Sequence, residues 1–435
     1  MLLPGASSLA ENNKQPNMLV IMLDDMGYSD ISINGGKDIN TPNIDKLFKS
    51  GTTITNHYAN STVSSPTRAS FLTGLYPDKA GVPGVIRTDK QNNWGYLLPD
   101  IKTLPGLLKR AGYYTAIIGK WHLGLEAPNI PNMRGFDYFK GFLGDMMDDY
   151  YEHLRHGNNY MRLNNHEIHP DKVHATDLFS DWAVDYIESQ KNGKNPFFLF
   201  LSYNAPHSPV QPPDDWYQKV LSREKGIDSG RAKMVALMEH LDFGIGRVIE
   251  ALHATGLDEN TLIVFTNDNG GSLPHGATND PLRGGKLDYY EGGIKVPTCM
   301  VWPGMITPGS KTPVLSLTMD LLPTLMDIAG VPVIHPIDGI SLWPYIQGDD
   351  PGTSERVLFW WHRTGRFSGL SYYAVRKGPY KLVQNTPYEY PQLFNLEDDP
   401  LEKTPLSQSL PIFRELKHHL SQHIISTGHI PWQKH

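Results

Sequence analysis

The chain has 435 residues, of which 39% are hydrophobic and 20% are charged, a composition typical of a globular protein with one large core and a smaller unit. The net charge of −7 excludes a strongly basic surface, so we predict no nucleic-acid partner. No apolar run reaches the length of a membrane span. The single cysteine, Cys299, excludes an intrachain disulfide and is compatible with either the cytoplasm or the periplasm.

Four short apolar runs predict buried strands. They are nearly continuous and rich in β-branched or aromatic residues, as in parallel strands covered on both faces. Apolar residues three and four positions apart predict a helix that ends at Gly256. Because strands alternate with helices, we predict an α/β fold with a large, mostly parallel or mixed sheet sandwiched by helices. The four strands are expected at 17–23, 113–118, 197–202 and 262–266.

The sequence changes in character at about residue 350. Short segments over 356–400 predict a smaller antiparallel sheet, and 411–425 predicts a helix packed on it. The first residues lack the basic start and long apolar stretch of a complete signal peptide. With such a peptide removed, we predict a periplasmic or secreted location. The predicted parts are a tail or signal remnant at 1–16, a catalytic domain at 17–350 and a C-terminal α+β subdomain at 351–435.

Ionisable or amide side chains follow each of the four predicted strands. In open α/β sheets, ligands bind outside the carboxyl ends of the strands, so we expect these residues to converge on one site. They are Asp24 and Asp25, Lys120 and His122, His207, and Asp268 and Asn269, in the order of the four strands.

Asp24, Asp25, Asp268 and Asn269 provide a hard set of oxygen donors. Such donors suit Ca²⁺, or Mg²⁺, better than Zn²⁺. Either pair alone could instead cap a helix or form a turn. Two pairs at strand ends, with cations elsewhere in the sequence to balance them, favour a metal site.

Arg68, Lys120 and Lys286 are the cations expected beside this metal. Lys286 follows two glycines, which let the backbone approach a ligand closely. A single lysine is usually a solvated surface charge, but beside a divalent ion these three complete a pocket for a tetrahedral oxyanion. His122 and His207 are candidate proton carriers, because the unperturbed pKa of histidine lies near physiological pH.

The segment VSSPTRASFLTG, at 63–74, raises the question of what Ser64 does. Locally it predicts a helix start, with Ser64 as the cap and Pro66 in the first turn. That role would place Ser64 at a helix N-terminus, where anions are favoured. A serine hydroxyl is a poor nucleophile unless it is activated, and nothing in the segment distinguishes a plain serine from a modified one.

This segment resembles the signature of the type I, formylglycine-dependent sulfatases of the alkaline phosphatase-like superfamily. The signature is Cys/Ser-x-Pro-x-Arg, followed by a helix that ends in Leu-Thr-Gly. Other motifs resemble that family's motifs in the family's order over residues 17–400, and together they are typical of a bacterial carbohydrate sulfatase. They are VIMLDDMGYSD, GKWHLG, APHSP, TNDNGG, RGGK…EGGIKVP and AVRKGPYKL…QLFNLEDDP.

The resemblance implies a sulfuric ester hydrolase that acts on a sulfated carbohydrate. A sulfatase-maturating enzyme would oxidise position 64 to formylglycine (3-oxoalanine), whose hydrate attacks sulfur and forms a covalent sulfated intermediate. Lys120, His207 and Lys286 would bind the sulfate. The implied catalytic residues are Ser64, Arg68, Lys120, His122, His207 and Lys286. The implied calcium ligands are Asp24, Asp25, Ser64, Asp268 and Asn269.

Most members carry cysteine where this chain has Ser64. Three alternatives follow: a bacterial branch whose radical enzyme oxidises serine or cysteine, a substitution that inactivates a cysteine-type enzyme, and a natural member that is never converted. Two rival functions also stay open. One is a phosphodiesterase or phosphonate hydrolase of the same superfamily, and the other is a non-catalytic glycan-binding protein.

Two segments are expected to read the part of the substrate beyond the sulfate. One is the polar, aromatic insertion at 145–160, and the other is WWHRTGR at 360–366, with His362 and Arg363 as candidate saccharide contacts. Strand alternation places at least one of the two tryptophans in the core of the small sheet. Aromatic planes with charged neighbours suit sugars, so we predict a glycosaminoglycan or other sulfated glycan, of galactose or N-acetylgalactosamine type, over a steroid or simple aryl ester.

Overall fold

The computed structural model describes residues 15–349, 352, 355–364 and 370–433. The strands in this part of the chain are β1 (Asn17–Asp24), β2 (Thr52–Tyr58), β3 (Tyr114–Lys120), β4 (Tyr138–Phe142), β5 (Leu154–Arg155), β6 (Asn158–Asn159), β7 (Met161–Leu163), β8 (His166–Glu167), β9 (Phe197–Pro206), β10 (Thr261–Asn267), β11 (Cys299–Val301), β12 (Ser310–Leu317), β13 (Val357–Thr364), β14 (Leu370–Lys377), β15 (Tyr380–Gln384) and β16 (Gln392–Asn395). The helices are α1 (Pro42–Ser50), α2 (Ser64–Thr73), α3 (Leu104–Arg110), α4 (Ala175–Gln190), α5 (Asp214–Arg223), α6 (Ser229–Thr255), α7 (Glu291–Ile294), α8 (Leu321–Ile328), α9 (Trp343–Ile346) and α10 (Pro411–Thr427).

The large sheet is mixed, with the strand order β12-β2-β11-β10-β1-β9-β3-β4-β7-β8. Its centre is parallel, because β1 pairs with β10 and β9, and β3 pairs with β9 and β4. Antiparallel pairs lie outside this centre, where β11 joins β10 to β2 and β7 joins β4 to β8. The carboxyl ends of β1, β3, β9 and β10 therefore share one edge of the sheet, as the sequence predicted.

Strand β1 shows why the central strands are continuously apolar. Leu19 and Ile21 pack into a core that includes residues of α1, α4, α5 and α6. Met18, Val20 and Met22 pack into the opposite core, with residues of α2, α3, α8 and α9. Both faces are withdrawn from water, and apolar burial stabilises the fold by roughly 25 cal/mol per Å². The predicted sandwich of helices around the sheet is confirmed.

The four predicted strands are β1, β3, β9 and β10, and the predicted helix is α6. Gly256 ends α6 in the left-handed conformation, with φ 69°. No helix among the described residues combines the length and the apolar character that crossing a bilayer requires.

The smaller sheet is antiparallel, in the order β13-β14-β15-β16. Ala374 faces the large unit, in a core with Trp360, whereas the adjacent Val375 faces α10 and packs with Phe413. Trp360 and Trp361 are both buried, so the prediction that at least one of them belongs to the core is confirmed. The predicted domain boundary at 350/351 and most of the predicted tail lie outside the described residues.

Candidate active site

The carboxyl ends of β1 and β10 bring three carboxylates and one amide together. Asp24 ends β1, and Asp25 follows it in a left-handed conformation with φ 68°. Asp268 Oδ1 accepts a hydrogen bond from the Asp25 backbone N–H at 3.2 Å, and Asn269 Nδ2 donates to Asp25 Oδ1 at 2.7 Å. All four residues are buried. We call these four residues the acidic floor.

Two fully buried cations pair with the acidic floor. Lys120 Nζ donates to Asp24 Oδ2 at 2.5 Å. Arg68 donates to Asp268 Oδ2 through Nε at 3.1 Å and through Nη2 at 2.8 Å. Ser202 connects the two cations, because its Oγ accepts from Arg68 Nη1 at 2.5 Å and donates to the Lys120 carbonyl at 2.7 Å. Buried charges need such partners, since isolated ones cost several kcal/mol each.

The charges of the site control the ionisation of Asp24. Burial raises its pKa, but the cations around it outweigh burial and hold the pKa well below its usual value. Asp24 is therefore a carboxylate at neutral pH. The groups that lower its pKa are Lys120, His207, Arg68 and Lys286.

His207 and Lys286 form the more open side of the site. Lys286 Nζ donates to Asp25 Oδ2 at 2.6 Å and lies 3.1 Å from His207 Nε2. The side chains of His207 and Lys286 are 13% and 20% exposed, whereas that of Lys120 is 0% exposed. A ligand that enters the cleft therefore meets His207 and Lys286 first.

The proton positions on this open side follow from the hydrogen bonds. His207 Nδ1 lies 2.8 Å from the Ser208 carbonyl, which fixes the proton on Nδ1 and leaves Nε2 toward Lys286. Burial and then the charge of Lys286 lower the pKa of His207. Burial also lowers the pKa of Lys286, but Asp25 and Asp24 raise it overall, so Lys286 keeps its proton.

His122 follows β3 and adopts a left-handed conformation with φ 59°. Its Nε2 lies 2.9 Å from the Ile86 carbonyl, so Nε2 carries the proton. Its buried Nδ1 has no hydrogen-bond partner among the described residues. Burial, followed by the charges of Lys120 and Arg68, lowers the pKa of His122 well below its usual value. A neutral imidazole with an unpaired Nδ1 can accept a proton within the site.

Ser64 is the first residue of α2, and the prediction that it caps this helix is wrong. The N-cap is Val63, which has no side-chain hydrogen bond to give. Ser64 Oγ instead donates to Asp24 Oδ1 at 2.9 Å, so the hydroxyl lies against the acidic floor. Ser65 Oγ accepts a hydrogen bond from the Ile86 backbone N–H at 3.0 Å. This bond links α2 to the loop whose Ile86 carbonyl contacts His122 Nε2.

The acidic floor fits a hard divalent cation. Asn269 Oδ1 is buried and has no hydrogen-bond partner in the described part of the chain. Burial, followed by the charge of Asp24, raises the pKa of Asp268 to about 7. A bound cation would take the unpaired amide oxygen as a ligand and would favour the ionised form of Asp268. Carboxylate and amide oxygens are the donors that Ca²⁺ prefers.

Of the two predicted saccharide contacts on β13, His362 does not fit its prediction. It is 1% exposed, its Nδ1 lies 2.8 Å from Tyr289 Oη, and its ring stacks on Tyr372 with centroids 4.9 Å apart. Burial lowers the pKa of His362 to about 3. Such a side chain packs the sheet and offers no surface to a sugar. Arg363 is half-buried with its guanidinium over the Trp432 ring, and its contact with substrate stays a prediction.

The predicted insertion at 145–160 borders the site. Tyr150 Oη donates to the carbonyls of Asn204 at 3.0 Å and His207 at 2.7 Å, so the insertion supports the segment that carries His207. Positions 365–366 of the other predicted segment lie outside the described residues.

Sequence reasoning missed Ser202, Ile86 and Tyr150. A serine at the end of the apolar run FFLFLS was a signal for Ser202, because a buried polar group needs a partner. Tyr150 fell inside the predicted insertion but had no assigned role. Ile86 contributes only its backbone groups, which no side-chain pattern reveals.

The family models and relatives that this chain matches place it in the alkaline phosphatase-like superfamily. Residues 16–331 match the sequence model of the family described as Sulfatase. Residues 286–428 match the model described as N-sulphoglucosamine sulphohydrolase, C-terminal. The chain belongs to the sulfatase family, and it is an enzyme that hydrolyses sulfate esters.

Individual relatives agree with this assignment. N-acetylgalactosamine-6-sulfatase of Canis lupus familiaris is 30% identical over 390 residues, which cover 84% of this chain and 71% of that protein. The sulfatase YdeN of Escherichia coli (strain K12) is 30% identical over 443 residues, which cover 88% of this chain and 75% of that protein. The crystal structure of Ps i-CgsB in complex with k-i-k-neocarrahexaose is similar with a TM-score of 0.87 and 33% identity, over 96% of this chain and 95% of that chain.

Proposed function

We propose that this sulfatase removes sulfate from a sulfated carbohydrate, and that it does so with formylglycine formed from Ser64. The observation that carries the proposal is the contact between Ser64 Oγ and Asp24 Oδ1 at 2.9 Å, among the buried cations of the site. Asp24, which accepts this bond, also accepts one from Lys120, and Arg68, His207 and Lys286 help to lower its pKa. This supports the proposal that the four cations would hold an oxyanion beside position 64. A surface serine or a simple helix cap would have no such surroundings.

Relatives support the carbohydrate part of the proposal. The canine relative is named for N-acetylgalactosamine 6-sulfate, and Ps i-CgsB was solved with a neocarrahexaose, which is a saccharide. The name of the canine relative fits the predicted N-acetylgalactosamine type of substrate. Because sulfated polysaccharides are encountered outside the cytoplasm, we also propose a periplasmic or secreted location.

The residues of the chain divide the chemistry between a closed side and an open side. Formylglycine supplies, when hydrated, a geminal diol in place of a weakly nucleophilic hydroxyl. Arg68 and Lys120 hold the position-64 side chain, and His122 Nδ1 accepts a proton from it. His207 and Lys286 bind the sulfate, and Lys286, which is protonated before the reaction, donates that proton from Nζ to the leaving oxygen.

A divalent cation belongs to the same proposal. Asp24, Asp25, Asp268 and Asn269, together with the side chain at position 64, would hold calcium, or magnesium, at the acidic floor. Such an ion supplies Lewis-acid stabilisation of negative charge. The unpaired Oδ1 of Asn269 is the observation in its favour.

The burial of Ser64 limits when it can be oxidised. Ser64 is 3% exposed in the folded chain. A sulfatase-maturating enzyme therefore has to reach this residue before the fold closes over it. We propose such an enzyme as a partner of the unfolded chain.

Peptide mass spectrometry of the protein from its native host tests the modification. We expect the peptide that contains Ser64 to have lost two hydrogen atoms, and a peptide without that loss would overturn the formylglycine proposal. Material from a foreign host is a poor substitute, because the maturating enzyme can be missing there.

Sulfate release from a substrate panel tests the activity. The panel contains galactose and N-acetylgalactosamine sulfates, an aryl sulfate, and phosphate mono- and diesters. We expect the highest kcat/KM for a sulfated saccharide. Faster turnover of phosphate esters would favour the phosphodiesterase alternative, and cleavage of aryl sulfate alone would overturn the carbohydrate proposal.

A further inference from the structure

A cavity of about 500 Å³ lies beside the sulfate site, within the size range of pockets that hold small ligands. Two of its lining residues are neighbours of His122. Leu123, which lines the cavity, follows His122 in sequence, and Ile86, which also lines it, accepts the hydrogen bond of His122 Nε2. The cavity therefore lies against the segments that hold His122.

We propose that Arg87 makes this cavity a second anion-binding subsite, which holds a sulfate or carboxylate group on the sugar next to the one that is desulfated. The inference rests on the proposed carbohydrate substrate and narrows it to glycans with anionic groups on neighbouring sugars. Neither the metal ligands nor the sulfate-binding residues take part in this subsite.

The guanidinium of Arg87 has most of its hydrogen-bonding capacity unused. Within the described residues, its one side-chain hydrogen bond joins Nη1 to the Asn92 carbonyl at 3.1 Å, and no carboxylate lies within ion-pair distance. Nearby Arg155 differs, because it donates to Asp145 Oδ1 at 3.0 Å and to Asp148 Oδ1 at 2.8 Å. The charge of Arg155 is thus balanced by two carboxylates, whereas the guanidinium of Arg87 has no ion-pair partner among the described residues.

The surroundings of Arg87 favour an anionic ligand. Arg87 is half-buried, and burial lowers its pKa, an effect that Asp145 and Asp89 oppose and Arg155 reinforces. Arginine nevertheless stays charged in proteins. Lys90 adds a second cation to the cavity lining, and Glu126 at its exposed edge is the carboxylate that lines it. A partly desolvated cation without a carboxylate partner is costly, and a sulfate or carboxylate would offset that cost.

The loop that carries Arg87 is fixed before any ligand arrives. The Arg87 backbone N–H donates to Asn93 Oδ1 at 3.2 Å. At one end of the loop, the Arg363 N–H donates to the Pro83 carbonyl at 2.8 Å. At the other end, the Trp94 and Trp432 rings stack with centroids 5.1 Å apart. A preorganised cation loses less conformational entropy when it binds its ligand.

The test compares pairs of sulfated oligosaccharides that share the same scissile sulfate. Within each pair, one member carries a second sulfate or a carboxylate on the neighbouring sugar and the other does not. We expect the wild type to show a higher kcat/KM for the doubly anionic member. In Arg87→Ala we expect this preference to fall by about 10-fold or more, mainly through KM, because a charge-assisted hydrogen bond is lost. Arg87→Lys should keep part of the preference.

The matched control is Arg110→Ala, which removes the same charge at the exposed end of α3, before the start of β3. We expect it to keep the wild-type preference. If Arg87→Ala fails to fold, Arg87→Gln gives the same comparison with a side chain closer in size. Separate arms with sulfate and with carboxylate on the neighbouring sugar identify which anion is recognised.

The outcomes separate the subsite from the proposed function. A wild type that cleaves sulfated saccharides without preference overturns the subsite alone, as does an Arg87→Ala enzyme with an unchanged preference. A wild type that cleaves none of the saccharides overturns the carbohydrate proposal on which the subsite rests. Loss of the preference in Arg87→Ala, with retention in Arg110→Ala, supports the subsite.

Discussion

Two clusters of buried charges in this protein have similar composition but different bonding. The first is the acidic floor with its cations. The second, which we call the intersheet cluster, lies where the small sheet packs on the large unit and consists of Tyr58, Glu291, Arg376, Lys381 and Glu402. Glu291 accepts hydrogen bonds from Lys381 Nζ at 2.8 Å and from Tyr58 Oη at 2.7 Å. Glu402 accepts from the Glu291 backbone N–H at 2.6 Å and lies 3.0 Å from Lys381 Nζ.

The intersheet cluster is enclosed by the protein, whereas the active site is open on one side. The side chains of Glu291, Lys381 and Glu402 are at most 3% exposed and pair with one another. In the active site, Asn269 Oδ1 and His122 Nδ1 lack partners among the described residues. Unpaired atoms alone do not separate the two clusters, because Glu402 Oε1 also has no hydrogen-bond partner in the described part of the chain, although it lies 3.0 Å from Lys381 Nζ. The two clusters differ in access, since the side chains of His207 and Lys286 are 13% and 20% exposed at the open side of the active site. Substitutions should therefore affect activity in one cluster and stability in the other.

The largest effect is expected for Ser64→Ala, which removes the side chain that carries the chemistry. We expect kcat to fall by roughly 10⁴-fold or more, as for other nucleophile removals. Stability should change by only about 1 kcal/mol, because one hydrogen bond to Asp24 is lost. Sulfate release and thermal unfolding measure the two effects. The control is Ser70→Ala on the same helix, whose buried hydroxyl has no hydrogen-bond partner in the described residues. Appreciable turnover by Ser64→Ala would contradict the assigned role.

Lys381→Met tests the intersheet cluster. It leaves Glu291 and Glu402 buried without their shared cation, which should lower the free energy of unfolding by about 3–5 kcal/mol. Denaturant unfolding measures the loss, and activity per folded molecule should persist. Lys311→Met is the control, since Lys311 lies exposed on an edge strand. Equal stability of the two variants would mean that the cluster does not stabilise the fold.

The next largest effect is expected from removal of the proposed cation. A chelator should lower both the activity and the melting temperature of the wild type, and added calcium should restore them. In Asn269→Ala the calcium concentration for half-restoration should rise by at least about 10-fold, because a ligand is lost. Asn192→Ala, which changes an exposed asparagine, should behave as the wild type. Insensitivity of the wild type to chelation would argue against a metal at the acidic floor.

The smallest effect concerns acid stability. Burial raises the pKa of Glu291, but Lys381, Arg376 and Lys295 outweigh burial and lower it to about 2, against an ordinary value of 4.5. Its ionised form therefore contributes stability that is complete above about pH 4.5 and is lost as the pH falls toward 2. Glu291→Gln should make the free energy of unfolding less dependent on pH in that range.

Urea titrations at several acidic pH values measure this slope. Glu397→Gln, at an exposed position, is the control and should keep the wild-type slope. An unchanged slope in Glu291→Gln would show that its carboxylate does not titrate between the folded and unfolded states as described.

Much of the fold could be predicted because the central strands are buried on both faces. Such strands leave unbroken apolar runs, and β1, β3, β9 and β10 were all found in this way. The outer strands gave no such signal. β11 has only three residues, and β2, TTITNHY, carries polar side chains, so neither could be told from a loop.

The candidate site could be predicted where side chains follow strands, since parallel strands deliver their ends to one edge. Neither the contact of the Ser64 hydroxyl with Asp24 nor the burial of His362 could be predicted in this way. Helix boundaries shift by one residue without a change in the local pattern, which explains the error at Ser64. His362 lies on β13, whose two faces pack against segments that are distant in the sequence. The local pattern therefore does not reveal which face of β13 is buried.

The intersheet cluster has a consequence for how such a chain can change over evolutionary time. Glu291 is contributed by α7 of the large unit, whereas Lys381 lies on β15 and Glu402 follows the small sheet. A recombination event between the two sheets would therefore pair Glu291 of one ancestor with the Lys381 and Glu402 positions of another. Ancestors that kept the complementary charges would yield the more stable descendant. The two sheets are therefore expected to be inherited together, although recombination could join them at the chain between them.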